Sequence, residues 1–133
     1  MALPLLRERD LSIPEVIKEI ENGLPVSSFT TVRKDLGLTD KELAQIIRIP
    51  KSTLAARKKK GRLSFEESER LYRIERLLNK AVHVFGDLDM AGKWLKQKAY
   101  GLGDIPPLEF ARTEIGAREV ERLLGRIEHG VFS

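Results

Sequence analysis

Cysteine is absent from the 133 residues of the chain. Disulfide scaffolds, thiolate metal sites and cysteine nucleophiles are therefore excluded. Histidine is nearly as scarce, with only His83 and His129, so a histidine-rich centre is excluded as well. No metal and no cofactor is expected. Aromatic residues make up only 6% of the chain, which leaves the core to aliphatic side chains. No apolar run reaches the ~18 residues that a membrane-spanning helix needs. Residues 1–11 hold a short apolar stretch with no basic segment before it, which is not the pattern of a secretory leader. The expectation is a cytoplasmic protein without membrane association.

What the sequence does contain is charge, and it is unevenly placed. The net charge is +4, from 24 Lys and Arg against 20 Asp and Glu. Arg48, Lys51, Arg57, Lys58, Lys59, Lys60 and Arg62 fall in one short segment that has no acidic residue. The remaining 17 basic residues face 20 acidic ones, a net of −3. The chain is thus mildly acidic with one basic segment inserted, a candidate footprint for phosphate backbones. The bland reading is a solvated helix end whose cations favour the C-terminal dipole.

Helix-start signals recur. Ser12 with Glu15, Thr39 with Glu42 and Ser64 with Glu67 each have the spacing at which two side chains satisfy orphan backbone N–H groups reciprocally. Pro14 sits near a first turn, where its missing N–H costs nothing. Gly23, Gly37, Gly61, Gly86 and Gly130 are placed as stops. Between these marks the apolar spacing is helical. It places Val16, Ile17 and Ile20 on one helix, Phe29, Val32 and Leu36 on the next, and Leu43, Ile46 and Ile47 on a third. A long helix from about Phe65 to Phe85 follows, then short ones carrying Met90, Ala91, Trp94 and Leu95, and Leu108, Phe110 and Ala111. The last carries Val120, Leu123, Leu124 and Ile127. No segment alternates with period two for long enough to be a strand. The chain reads as all-α, with seven or eight helices. Low-complexity segments and internal repeats are missing.

The strongest motif spans residues 38–61, LTDKELAQIIRIPKSTLAARKKKG. Thr39 starts a helix whose Leu43, Ile46 and Ile47 face inward, with small Ala44 where a second helix must cross. Ile49 is placed to plug the core at the turn, and a second helix begins at Pro50 or Lys51 with Leu54 on its buried side. This is a helix-turn-helix, in which the second helix enters the major groove N-terminus first. It resembles the Xre, or lambda-repressor-like, family through Leu38, Thr39, Glu42, Leu43, Ala44, Ile47, Ile49, Ser52, Thr53 and Leu54. Two positions depart from that pattern. Arg48 stands where glycine is common, which demands a strained or altered turn, and Pro50 replaces the usual capping serine. The residues placed toward DNA are Lys51, Ser52, Thr53, Ala55, Ala56, Arg57, Lys58, Lys59 and Lys60. Lys51 and Arg57 are candidates for guanine edges or phosphates, and Ser52 and Thr53 for either. Ala55 and Ala56 permit close approach, and Lys58, Lys59 and Lys60 suit phosphates at the far end of the helix.

The C-terminal third carries a second resemblance. Val84-Phe85-Gly86, Trp94-Leu95, Pro107-Leu108, Thr113-Glu114, Gly116, Val120, and Arg126-Ile127 with Gly130 resemble the toxin-binding domain of the Xre/MbcA/ParS antitoxin family. The resemblance implies an N-terminal helical domain over residues 1–77 with the helix-turn-helix, and a small helical toxin-binding domain over 78–133. It implies a type II toxin–antitoxin system whose antitoxin masks a RES-domain, NAD-consuming toxin and represses its operon by binding operator DNA, without enzymatic activity of its own. Trp94, Leu95, Leu108 and Phe110 read as core. Glu114, Arg118, Glu119, Arg122, Arg126 and His129 read as exposed candidates for the toxin surface. Val131 and Phe132 either fold back or insert into a partner. A homodimer is expected, because symmetric operators present two half-sites. The series Leu71, Ile74, Leu78, Ala81, Phe85 is either a dimer seam or, by preference, the spine of the monomer core.

Catalysis has little to stand on. Asp87, Asp89, Asp104 and Glu114 lack a histidine, cysteine or serine partner, and there is no phosphate-binding glycine loop. Asp87 and Asp89 are better placed as helix-start residues. Two further readings stay open: a stand-alone repressor whose C-terminal domain dimerises or senses a ligand, and a helical adaptor with no DNA role.

Overall fold

The structure is a computed structural model and describes residues 11–130. Val131 and Phe132, two of the residues expected to meet a partner, lie outside the described residues. The described chain is all-α. Eight α-helices follow one another: α1 Ile13–Asn22, α2 Val26–Leu36, α3 Asp40–Ile46, α4 Lys51–Lys60, α5 Phe65–Phe85, α6 Leu88–Lys96, α7 Pro107–Phe110 and α8 Glu114–Glu128. A 3-10 turn, Tyr100–Leu102, lies between α6 and α7. The chain divides into two compact units, and the division falls inside α5, between Tyr72 and Arg73.

In the N-terminal unit the three expected capping boxes are all made. Ser12 Oγ accepts from the Glu15 N–H at 3.4 Å while Glu15 Oε1 accepts from the Ser12 N–H at 2.9 Å. Thr39 and Glu42 do the same at 3.1 and 2.8 Å, and so do Ser64 and Glu67 at 3.1 and 2.8 Å. A capping side chain of this kind is worth about 1 kcal/mol. At the end of α1, Gly23 takes φ 88°, and a Cβ there would lie 2.3 Å from the Leu63 carbonyl oxygen. The chain entering α5 passes too close for any other residue. Beside it the Leu24 N–H donates to Ser68 Oγ at 2.8 Å inside the core. That core is built from Val16, Ile20, Phe29, Val32, Leu36, Leu43, Ile47, Ile49, Leu54, Leu63 and Leu71. Ile17 departs from the sequence expectation. It is exposed, because α1 turns only the Val16/Ile20 edge inward, and Ile46 is half-buried.

In the C-terminal unit, Asp87 caps α6 by accepting from the Asp89 and Met90 N–H groups, as the sequence placed it. Thr113 caps α8 by accepting from Gly116 N–H at 3.0 Å. Ile74, Leu77, Leu78, Ala81 and Val82 of α5, Ala91 and Leu95 of α6, Leu108, and Ala117, Val120 and Leu124 of α8 form the core. Each buried leucine or valine contributes about 1.5–3 kcal/mol of transfer free energy. Phe85 and Trp94 are half-buried and pack ring to ring at 5.5 Å between centroids, tilted by 44°. Side-chain contacts join α5 to α8 in the same order along both helices: Arg73 and Arg76 form ion pairs with Glu114 and Glu121, and His83 Nε2 lies 2.7 Å from Glu128 Oε2. The two helices therefore run side by side in one direction.

Candidate functional site

The helix-turn-helix is built from α3, a four-residue turn and α4. Arg48, the residue that displaces a glycine, has φ 59°, the left-handed region that costs an L-residue about 1 kcal/mol or more. Its neighbours complete a Schellman ending. Ile49 N–H donates to the Ala44 carbonyl at 2.8 Å, and Arg48 N–H to the Gln45 carbonyl at 3.3 Å. Ile49 is buried beside Ala44, the apolar contact this ending calls for. A second stabiliser comes from α5. The Arg70 guanidinium donates to the Ile47 carbonyl at 2.6 Å and to the Arg48 carbonyl at 3.5 Å. The orphan carbonyls at the end of α3 are thereby satisfied, and the turn holds without glycine.

Pro50 precedes α4 in an extended conformation and contributes no side-chain cap. The first N–H groups of α4 are left free of a capping side chain, at the end of the helix that favours anions. Around that end Lys51, Ser52, Ala55 and Ala56 are exposed, Thr53 is half-buried and Leu54 is buried. An open cleft of 590 Å³ separates α3 from α4, floored by Ala44, Ile49 and Leu54 and edged by Gln45, Lys51 and Lys58.

The basic residues of α4 divide into two sets. Arg57 donates to Glu67 through Nε at 2.8 Å and through Nη2 at 3.2 Å. Glu67 is only 6% exposed, and it is the same residue that closes the capping box of α5. Burial, its largest single influence, pushes the Glu67 carboxyl up. The hydrogen bonds from Arg57 and Ser64 and the Arg57 charge together outweigh it and hold the group below the usual glutamate value. Glu67 in turn raises the Arg57 guanidinium, first through the hydrogen bond and then through its charge. Lys58 pairs with Asp40, which also holds Arg33 at 3.0 Å. Arg62 donates to the Gly23 carbonyl. Lys51, Lys59 and Lys60 are exposed and make no ion pair among the described residues. Sequence reasoning missed the Arg57–Glu67 pair and the part played by Arg70, since both depend on how α5 lies against α3 and α4.

In the C-terminal unit, Glu114, Arg118, Arg122 and His129 are exposed, and Glu119 and Arg126 are half-buried. All lie on α8 or just past its end. Glu114 is shared among Arg73 at 3.1 Å, Arg118 at 3.3 Å and Arg76 at 3.8 Å, and Glu119 pairs with Arg122. Leu95 and Leu108 are buried, while Trp94 and Phe110 are half-buried. Four described apolar residues of this unit are exposed, Tyr100 at 91%, Ile115 at 79%, Met90 at 55% and Ile105 at 40%. Met90 departs from the expectation that grouped it with Ala91, Trp94 and Leu95, since α6 turns only the Ala91/Leu95 edge inward. Among the described residues no group of three or more His, Cys, Asp and Glu side chains is arranged to hold a metal ion. No described helix is long and apolar enough to cross a membrane.

Two family models match the chain, one per segment. Residues 15–76 match the antitoxin Xre-like helix-turn-helix domain. Residues 80–130 match the antitoxin Xre/MbcA/ParS C-terminal toxin-binding domain. Among similar proteins, the antitoxin Xre of Photorhabdus laumondii is 34% identical over 122 residues, covering 90% of this chain and 82% of its own. The antitoxin Xre of Yersinia enterocolitica is 34% identical over 132 residues, covering 94% and 89%. That of Pseudomonas putida is 29% identical over 127 residues, covering 90% and 79%. With both segments matched in order and relatives aligned over nearly the whole length, the chain belongs to the Xre family of antitoxins.

Proposed function

We propose that this antitoxin neutralises a RES-domain toxin, one that consumes NAD, through residues 78–133, and represses its own operon through residues 1–77. The observation that carries the reading is the pairing in one chain of two features. One is an uncapped, exposed, basic helix start after a helix-turn-helix turn. The other is a segment matching a toxin-binding family model. On DNA, Lys51, Ser52, Thr53, Ala55 and Ala56 meet base edges and the nearest phosphates, and Lys59 and Lys60 meet phosphates farther along. Arg57 and Lys58 are held by Glu67 and Asp40, so they reach the backbone only with the donors those pairs leave free. The toxin meets Arg118, Glu119, Arg122, Arg126 and His129 on α8, with Glu114 at its start and Val131 and Phe132 beyond its end. The protein acts as a homodimer in the cytoplasm. Two recognition helices then span half-sites about 34–36 Å apart.

Co-expression with the gene beside it tests this. The expected result is a stable complex and rescue of growth from the toxicity of that gene alone. No complex and no rescue would overturn the antitoxin assignment for that pair. Rescue without NAD depletion by the toxin alone would keep the antitoxin and reject the RES assignment. A stand-alone repressor would retain operator DNA with no toxic neighbour at all.

A further inference from the structure

We infer that the Ala99–Ile105 turn is a preformed docking knob for the toxin protein, with the Tyr100 ring as its anchor. The inference rests on the toxin-binding reading of the C-terminal unit and names a part of that surface outside α8.

The turn is fixed from both sides. Asp104 N–H donates to the Ala99 carbonyl at 3.0 Å and Ala99 N–H to the Ile105 carbonyl at 3.3 Å, closing its base. Leu102 N–H donates to the Ala99 carbonyl at 3.0 Å, and Gly103 N–H to the Tyr100 carbonyl at 3.2 Å. Ala99 and Leu102 are buried. Gly101 lies against α8 so closely that a Cβ would stand 3.3 Å from the Leu123 side chain. Four backbone hydrogen bonds and the packing of Ala99, Gly101 and Leu102 thus hold seven residues, and their common result is a tyrosine ring turned into solvent. The Tyr100 side chain makes no hydrogen bond and no ring contact among the described residues.

A single exposed apolar side chain on a loose surface needs no explanation. A fixed aromatic does, because the chain spends backbone order on presenting it and gains no internal contact in return. Tyrosine is a favoured interface anchor for this reason: a large, rigid surface with few rotamers to lose on binding. The occupant follows from two observations. Tyr100 lies within residues 80–130, the span that matches the toxin-binding domain model. Exposed Lys96 and Lys98 precede it and make no ion pair among the described residues. The complement is an apolar pocket with an acidic rim on the toxin surface.

The test uses the full-length protein and the purified product of the neighbouring gene. Tyr100→Ala is expected to weaken binding by about thirty-fold or more, the penalty of losing an interface anchor. Tyr100→Phe stays within about three-fold, and a Lys96→Glu, Lys98→Glu double variant slows association at low salt. Melting temperature and operator retention should not change in any variant. Toxin binding by Tyr100→Ala within two-fold of wild type, roughly the scatter of such measurements, overturns the inference. If Tyr100→Ala instead dissociates a homodimer, or weakens operator retention, at unchanged toxin affinity, the knob belongs to a second copy or to DNA and the inference also falls. If wild type itself binds no toxin, the functional reading fails first, a result readily told apart from the others.

Discussion

Gly116 offers the sharpest test of how the C-terminal unit is held together. It is the third residue of α8, and its N–H is the one that donates to the capping Thr113 hydroxyl. A Cβ at this position would lie 1.7 Å from the Phe110 carbonyl oxygen, 2.8 Å from its carbon and 3.2 Å from Thr113 Oγ1. Carbon and oxygen ordinarily approach to about 3.3 Å, so α7 and α8 would have to separate by roughly 1.5 Å. No rotamer change relieves the clash, because the nearest two atoms are backbone. Overpacking costs about 1–3 kcal/mol and sometimes more, and backbone against backbone belongs at the top of that range. Alanine returns up to about 1 kcal/mol of helix propensity. The net loss for Gly116→Ala is at least about 2 kcal/mol, or roughly 6–10 °C in melting temperature for a chain of this size. Gly125, nine residues along the same helix, has nothing within 4 Å of its ideal Cβ. There the propensity acts alone, and Gly125→Ala should raise stability by up to about 1 kcal/mol. Thermal melts of the two variants beside wild type read the difference. Should Gly116→Ala melt within about 2 °C of wild type, the close approach of α7 and α8 is not a constraint and the argument fails.

Four further outcomes follow from the N-terminal unit. Lys51→Ala should weaken operator retention and make its salt dependence shallower by about 0.9 per phosphate lost. Arg57→Ala should instead lower the melting temperature with little change in salt slope, since it strands the buried Glu67 carboxylate. The folded-state pKa of Glu67 is shifted downward, so its stabilisation is complete above the unfolded value of about 4.3 and drains away as pH falls through the lower folded value. Glu67→Gln should be less stable at neutral pH and show a flatter acid-unfolding limb below about pH 4.3, measured by circular dichroism. Arg48→Gly should gain about 0.5–1 kcal/mol by releasing a left-handed arginine while weakening DNA retention by the loss of one exposed cation, which separates fold from affinity at a single position.

The capping boxes, the stop glycines and the extent of the long helix were legible in the sequence because each is a local signal. Ser12 with Glu15, and Thr39 with Glu42, need only three residues to declare a helix start. The doubt at Arg48 was legible too, and the structure resolves it as a left-handed residue. What held that turn in place was not legible. Arg70 looks like any cation on a long amphipathic helix, and its role depends on a carbonyl 23 residues away. Glu67 was misleading in a different manner. Its place in a capping box was a complete local explanation, so nothing in the spacing called for the second bond to Arg57. The basic segment consequently read as one patch, whereas packing sorts it into Arg57, Lys58 and Arg62, which brace the fold, and Arg48, Lys51, Lys59 and Lys60, which face solvent.

A similar sorting applies to the motif that carries the family resemblance in the C-terminal unit. Thr113 caps α8, Glu114 ties its first turn to Arg73 and Arg76 of α5, and Gly116 admits the Phe110 carbonyl. Leu95, Leu108 and Val120 are core. These recognisable residues build the unit. Tyr100, Ile115, Arg118 and Arg122 are exposed and outside the motif, and under the proposed function they are candidates for meeting the partner. A surface of this kind can change its toxin without disturbing the scaffold, because substitutions at exposed sites remote from caps and core alter stability by no more than about 0.5 kcal/mol. Family membership is therefore read from residues that fix the fold, and the choice of toxin must be sought in residues the family pattern leaves blank.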